Sequence, residues 1–215
     1  MGVVRPPVGA PEFWDRLYAG GDDGWELGAP SPPLVAWLDA GGSFPTGEPT
    51  MLGREEPARV AVLGCGRGHD ARLFASRGYR VWGFDFATAA IDDARRLAAA
   101  AGLAIAFEQR DIFTLGADYA GTFDGIWEYT CFCAIDPARR DEYASLVRTL
   151  LRPGGTLLAC FYPLREGTDG PPFPVSRQAI DRFLALDFRV GSSGPPARSA
   201  ERRRGLEWLV EAERA

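Results

Sequence analysis

From Val60 onward, short apolar runs alternate with longer segments whose apolar residues recur at helical spacing. This alternation predicts an α/β fold, a mostly parallel sheet with helices on both faces. The first run, Val60–Leu63, enters a glycine turn, and a helix opens at Asp70 with Ala71, Phe74 and Ala75 on its apolar side. Arg80–Asp85 repeats the strand pattern. Thr88 is then a good N-cap for a helix striped by Ile91, Ala94, Leu97 and Ala98, with Gly102 at its stop. Leu103–Glu108 and Phe123–Tyr129 read as the third and fourth strands, joined by a loop from Asp111 to Gly121. Asp136, with Pro137 behind it, caps a helix carrying Tyr143, Leu146, Val147 and Leu150 on one face, and Pro153-Gly154-Gly155 is expected to end it. Thr156–Tyr162 is the fifth strand. Ser176–Leu184 reads as helix, and Asp187–Gly191 with Gly205–Glu213 as a closing, antiparallel pair of strands.

Before this core, Glu12–Tyr18 and Leu34–Leu38 read as short helices separated by glycine- and proline-rich turns. Residues 11–40 form a candidate lid over a core at 58–215, and Ala40–Pro57, rich in Gly, Pro and Glu, is expected to be a mobile loop between them. No internal repeat is visible. At 215 residues, 46% of them hydrophobic, the chain can bury one full core and is read as one domain.

The net charge of -5 and the lack of a basic stripe give no footprint for a nucleic-acid backbone. No apolar run reaches the roughly 18 to 20 residues of a membrane span, and the N-terminus lacks a secretory pattern. The expectation is a cytoplasmic protein, monomeric, with a small-molecule substrate. Every basic side chain is arginine, which excludes a lysine Schiff base, and the one histidine, His69, excludes zinc sites that need two imidazoles. No metal site is expected. Cys65, Cys131, Cys133 and Cys160 lie in or beside apolar segments without a C-x-x-C pair, as buried reduced thiols do. Cys131 and Cys133 alternate, as two side chains on one face of an extended segment would.

The turn after the first strand runs Gly64-Cys65-Gly66-Arg67-Gly68-His69-Asp70. Its G-x-G-x-G spacing departs from the G-x-G-x-x-G of dinucleotide sites, so it favours a nucleoside ligand without a pyrophosphate over a nicotinamide cofactor. Asp85 ends the second strand, where a carboxylate can accept from both hydroxyls of a ribose; a helix-capping role is the alternative. Asp111-Ile112, after the third strand, offers an acceptor for an adenine amino group beside an apolar wall.

These features resemble the class I S-adenosylmethionine-dependent methyltransferases, and more narrowly the thiopurine S-methyltransferase family with its thiol and halide methyltransferase members. The likeness rests on Trp14-Asp15-Arg16-Leu17-Tyr18, Gly24-Trp25-Glu26-Leu27-Gly28, Leu63 to Asp70, Gly83-Phe84-Asp85, Asp111-Ile112-Phe113, Trp127-Glu128-Tyr129, Phe132 to Ile135, Arg152-Pro153-Gly154-Gly155 and Gly170-Pro171-Pro172-Phe173. Leu63 stands where many relatives have proline, and Cys131 where an aromatic residue is common. The resemblance implies S-adenosylmethionine as cofactor, with Trp14, Tyr18 and Trp25 closing over it and Gly64, Gly66, Asp85, Phe86, Asp111, Ile112, Glu128 and Tyr129 on the core side.

A sulfonium can be held by aromatic faces such as Trp14, Trp25 and Tyr129, each worth roughly 0.5 to 2 kcal/mol; Trp127 reads as core. A thiolate or halide needs only desolvation and alignment behind an activated methyl group, so no general base is obligatory. Tyr129, ending the fourth strand, is the candidate catalytic residue facing methyl group and acceptor, and His69 is read as bonded within its loop. The expected reaction is methyl transfer to a thiol, bisulfide or halide. A larger heteroatom acceptor such as a thiopurine, and a non-catalytic S-adenosylmethionine sensor, are the alternatives. Arg198 to Arg204 is read as a solvated tail, from which one arginine could fold over an anionic substrate.

Overall fold

A computed structural model describes residues 6–46 and 56–215, so residues 47–55 of the expected loop Ala40–Pro57 lie outside the described residues. The strands are β1 (Arg59–Leu63), β2 (Arg80–Asp85), β3 (Ala106–Gln109), β4 (Phe123–Tyr129), β5 (Leu151–Phe161), β6 (Phe188–Gly194) and β7 (Trp208–Arg214). They form one sheet in the order β3-β2-β1-β4-β5-β7-β6. The first five are parallel, and β7 is antiparallel to both β5 and β6. A parallel strand covered on both faces reads as a continuous apolar run, and β1 illustrates it: Val60 and Val62 face one core layer, Ala61 and Leu63 the other.

Helices α1 (Pro11–Gly20), α2 (Pro32–Asp39), α3 (His69–Ser76), α4 (Thr88–Ala100), α5 (Gly116–Tyr119), α6 (Arg140–Leu150) and α7 (Arg177–Leu184) complete the chain. Several boundaries differ from the sequence reading for local reasons. Gly102 is left-handed and the Leu103 amide turns back to the Ala98 carbonyl, so Leu103 finishes α4 and β3 starts three residues later than expected. Thr88 is the first helical residue rather than the cap; the cap position is Ala87. The 111–121 segment holds a 3-10 turn (Ile112–Thr114) and α5. Asp136 caps a 3-10 turn at Pro137–Arg139 by accepting from the Ala138 amide, and α6 begins only at Arg140. Leu151 is already extended, so α6 ends before Pro153-Gly154-Gly155; that triplet is a bulge inside β5, where the register jumps from Phe123↔Leu151 to Gly125↔Thr156. Ser176 caps α7 by accepting from the Ala179 amide at 3.1 Å.

The N-terminal helices part company. Leu34 and Leu38 of α2 sit in the core layer with Val60, Val62 and Phe74, so α2 is core, not lid. Helix α1 lies over the carboxyl ends of the strands instead. Helix α4 has no cap of its own, and Asp15 of α1 accepts from the Ala89 amide at 3.2 Å. An acceptor at this N-terminus is worth about 0.5 to 2 kcal/mol, and here it also docks one element on another. No helix among the described residues is long and apolar enough to cross a membrane.

Candidate active site

The carboxyl ends of β1, β2, β3 and β4, roofed by α1 and the segment to Leu27, enclose a cavity of about 550 Å³. That is the range of pockets that take one drug-sized ligand. Its floor begins at the turn after β1, where Gly64, Gly66 and Gly68 all have positive φ, at 61°, 51° and 70°. A Cβ at Gly64 would sit 3.0 Å from Cys131 Cβ, and one at Gly66 would sit 3.0 Å from the Tyr18 hydroxyl, so both conformation and space demand glycine. Asp85 stitches the turn to β2: its carboxylate accepts from the Gly66 amide at 2.7 Å and the Ala87 amide at 2.9 Å. Burial pushes its pKa up, against these bonds. Phe86 lies beside it on the wall, as do Asp111 and Ile112 beyond β3. Asp111 also closes its own turn, accepting from the Phe113 amide at 3.0 Å.

The roof is aromatic. Trp25 meets Trp14 and Tyr18 edge to face, with ring centroids 5.5 Å and 5.4 Å away, and its Nε1 donates to the Tyr18 hydroxyl at 3.2 Å. Three polar attachments hold this roof down. Arg67 of the glycine turn pairs with Asp23, Glu26 and Asp93. His69 does not bond within its loop but reaches Glu26 Oε1 at 3.1 Å from Nε2, while Arg72 lies 2.9 Å from Nδ1. Arginine can only donate, so Nδ1 accepts and the imidazole proton sits on Nε2, given to Glu26. Desolvation would raise the Glu26 pKa, yet the bonds from His69 and the Gly28 amide and the charge of Arg67 hold it at about 2. Asp70 accepts from the Ser31 amide (2.7 Å), the Ser31 hydroxyl (2.8 Å) and Trp127 Nε1 (2.7 Å), fixing the chain where the roof joins α2.

Tyr129 and Trp127 of β4 stack with centroids 5.7 Å apart, and both line the cavity. Glu128 does not join them. Side chains alternate along a strand, so Glu128 points to the other layer, fully buried, where it accepts from the Phe132 amide at 2.9 Å and the Tyr143 hydroxyl at 2.5 Å. Burial raises its pKa to about 7. Glu128 therefore does not line the cavity as expected but anchors the turn after β4. That turn is not extended, as the alternation of Cys131 and Cys133 suggested; it folds back, and both cysteines line the cavity as buried free thiols.

The arginine-rich segment supplies what the sequence reading missed. Far from a solvated tail, Arg203 is 2% exposed. Its guanidinium lies 4.9 Å from the ring centroids of both Tyr129 and Tyr162, and Nη2 donates to the Trp25 carbonyl at 2.6 Å. Its Nη1 is buried without a partner among the described residues. Neighbouring Arg202 donates to the Glu26 carbonyl at 2.9 Å. Glu207, 3% exposed, accepts from the Tyr129 hydroxyl at 2.6 Å through Oε1, while Oε2 is unpartnered. The clue to Glu207 was an acid inside the run Leu206 to Val210; nothing separated Arg203 from Arg202 and Arg204.

A nucleoside-sized cavity at the switch from β1 to β4, glycine turn, strand-end carboxylate and aromatic roof together define a class I methyltransferase site. Solved structures agree on the fold. A protein studied for conversion of a disulfide bond into a thioacetal group in echinomycin biosynthesis superposes with a TM-score of 0.74 at 24% identity, over 95% of this chain and 92% of that one. Magnesium protoporphyrin IX methyltransferase from Synechocystis PCC 6803 gives 0.64 at 20% identity, over 85% and 80%. Residues 9–213 match the family described as Thiopurine S-methyltransferase (TPMT), and the chain belongs to that family. Among curated relatives, "Probable thiol methyltransferase 2" of Arabidopsis thaliana is 32% identical over 91% of this chain and 82% of its own length. Thiocyanate methyltransferase 1 of Brassica oleracea is 30% identical over the same shares. Thiopurine S-methyltransferase of Pseudomonas fluorescens (strain SBW25) is 29% identical over 84% of each.

The protein is thus an S-adenosylmethionine-dependent methyltransferase, and its residues fit that cofactor. The glycine turn leaves room for backbone approach, Asp85 and Asp111 place acceptors at the ends of β2 and β3, and the roof presents three aromatic rings.

Proposed function

We propose that the protein methylates a small soft nucleophile, a thiol, bisulfide or halide, with Arg203 facing the acceptor. The observation that carries this reading is Arg203, a buried arginine that lines the cavity between Tyr129 and Tyr162 and whose Nη1 has no partner among the described residues. A buried guanidinium donor without a partner is costly, and an anionic acceptor satisfies it. Size argues the same way: with the cofactor inside a cavity of about 550 Å³, the space left suits a small acceptor. The thiol and thiocyanate methyltransferases among the relatives agree with this reading.

S-adenosylmethionine, when bound, supplies a methyl group already activated on a sulfonium. The chain's own residues have three tasks. Asp85, Asp111 and the glycine turn orient the nucleoside side, as Gly64, Gly66, Phe86 and Ile112 shape its walls. Trp14, Tyr18 and Trp25 cover the charged centre with ring faces and exclude water. Arg203, Tyr129 and Tyr162 strip and place the acceptor, and positioning of this kind can lower a barrier by roughly 7 to 11 kcal/mol.

The test is product formation from S-adenosylmethionine with iodide, bromide, bisulfide, thiocyanate, an aryl thiol and a thiopurine. Methyl iodide, methanethiol or methyl thiocyanate is the expected product. Turnover of the thiopurine alone would replace the small-anion reading with methylation of a larger heteroatom acceptor, and cofactor binding without any product would point to a sensor.

A further inference from the structure

A thiol reaches this site carrying a proton that thiocyanate and halides lack, and the methyl-transfer reading above leaves that proton without a destination. Tyr129, backed by Glu207, is a group suited to take it. Tyr129 lines the cavity and its hydroxyl donates to Glu207 at 2.6 Å, which leaves its oxygen able to accept. Glu207 is 3% exposed, and Oε2 has no partner among the described residues. The charged and titratable groups facing this pair are Arg203, over the Tyr129 ring, and Cys160 on the adjacent strand β5. Burial, with the Glu207 charge, raises the Tyr129 pKa against the opposing Arg203 charge, so the phenol stays protonated and able to donate.

We propose that Tyr129 and Glu207 form a proton relay that lets the enzyme methylate thiols in their neutral form. This rests on the S-methylation reading and adds a destination for the proton. As the thiol sulfur forms its bond to the methyl carbon, the carbon–sulfur bond of the cofactor breaks and its electron pair stays on the cofactor sulfur. The S–H proton passes to the Tyr129 oxygen, and the phenolic proton passes to Glu207 Oε1. A carboxylate is a weak base for a free thiol, but an S–H proton becomes strongly acidic once sulfur carries a third bond, so the transfer is downhill at the moment it is needed. Glu207 returns the proton to solvent when the site opens.

The test pairs two acceptors, 2-mercaptoethanol and thiocyanate, in the wild-type enzyme and in Glu207→Gln and Tyr129→Phe, from pH 6 to pH 9. Thiocyanate carries no proton and corrects for any general damage. Cofactor affinity is read separately by calorimetry. The relay predicts that at pH 7 the ratio of thiol to thiocyanate kcat/KM falls at least tenfold in both variants, within the range of roughly 100- to 10,000-fold that proton transfer supplies. It also predicts that the thiol profile of the variants climbs with the thiolate fraction while that of the wild type is flatter. A ratio unchanged within about threefold, whether both acceptors survive or both are lost together, overturns the relay. Wild-type turnover of thiocyanate without the thiol overturns the relay alone, whereas cofactor binding with neither acceptor methylated overturns the S-methylation reading as well.

Discussion

Arg203→Met tests the acceptor site at its charge. The substitution keeps a long apolar stem between Tyr129 and Tyr162 and removes the whole guanidinium. One donor, Nη1, is assigned to the acceptor; the other, Nη2, holds the Trp25 carbonyl at 2.6 Å. A hydrogen bond to a charged group is worth about 1.5 to 3 kcal/mol, so loss of the first should raise the KM for thiocyanate about 10- to 150-fold. Loss of the second should weaken cofactor binding by less, because Asp15, Arg67 and Asp70 still hold the roof and the chain behind it. Arg203→Lys should recover part of the acceptor KM, since it restores the charge without the fork. The assay is initial-rate kinetics with thiocyanate, alongside calorimetry with S-adenosylmethionine. A thiocyanate KM within about twofold of wild type in Arg203→Met would refute the reasoning.

Other expectations follow from the same geometry. Gly64→Ala forces a side chain into a left-handed position at φ 61° and against Cys131, so cofactor affinity should fall at least tenfold by calorimetry; wild-type affinity would contradict the close backbone approach. Glu26→Gln removes the carboxylate that ties His69 and Arg67 to the roof, and hydrogen exchange across residues 14–25 should quicken. Because the Glu26 pKa is depressed to about 2 from 4.5, this latch is complete above about pH 4.5 and lost as pH falls toward 2. Glu128 has the opposite sign: its pKa is raised from 4.5 to about 7, so the folded state holds a proton there that the unfolded state has lost. Stability should fall as pH rises from about 4.5 to about 7, and Glu128→Gln should flatten that slope in thermal melts. Asp15→Ala should cost about 0.5 to 2 kcal/mol in denaturant unfolding, the worth of an N-cap; an unchanged midpoint would mean that Asp15 does not cap α4.

The parts of the molecule legible in the sequence were those with a short-range cause. The order of strands and helices came from period, and the glycine turn and Asp85 from spacing. Boundaries slipped where a local bond decided them: Leu103 spent on closing α4, Pro153-Gly154-Gly155 absorbed as a bulge in β5. Alternation along β4 could have excluded Glu128, since Trp127 and Tyr129 cannot share their face with the residue between them. Arg203 was beyond reach because three consecutive arginines look alike until one is buried between two tyrosines, one ending β4 and the other just past β5. The roof's attachments were hidden for the same reason, since His69 to Glu26 and Arg203 to Trp25 join segments far apart in the chain.

The most direct test is a crystal structure with S-adenosylhomocysteine and thiocyanate bound together. The account predicts the nucleoside between Asp85 and Asp111 under the rings of Trp14 and Trp25, with the thiocyanate within about 3 Å of Arg203 Nη1. Thiocyanate bound elsewhere, with Nη1 still unpartnered or turned to solvent, would contradict it.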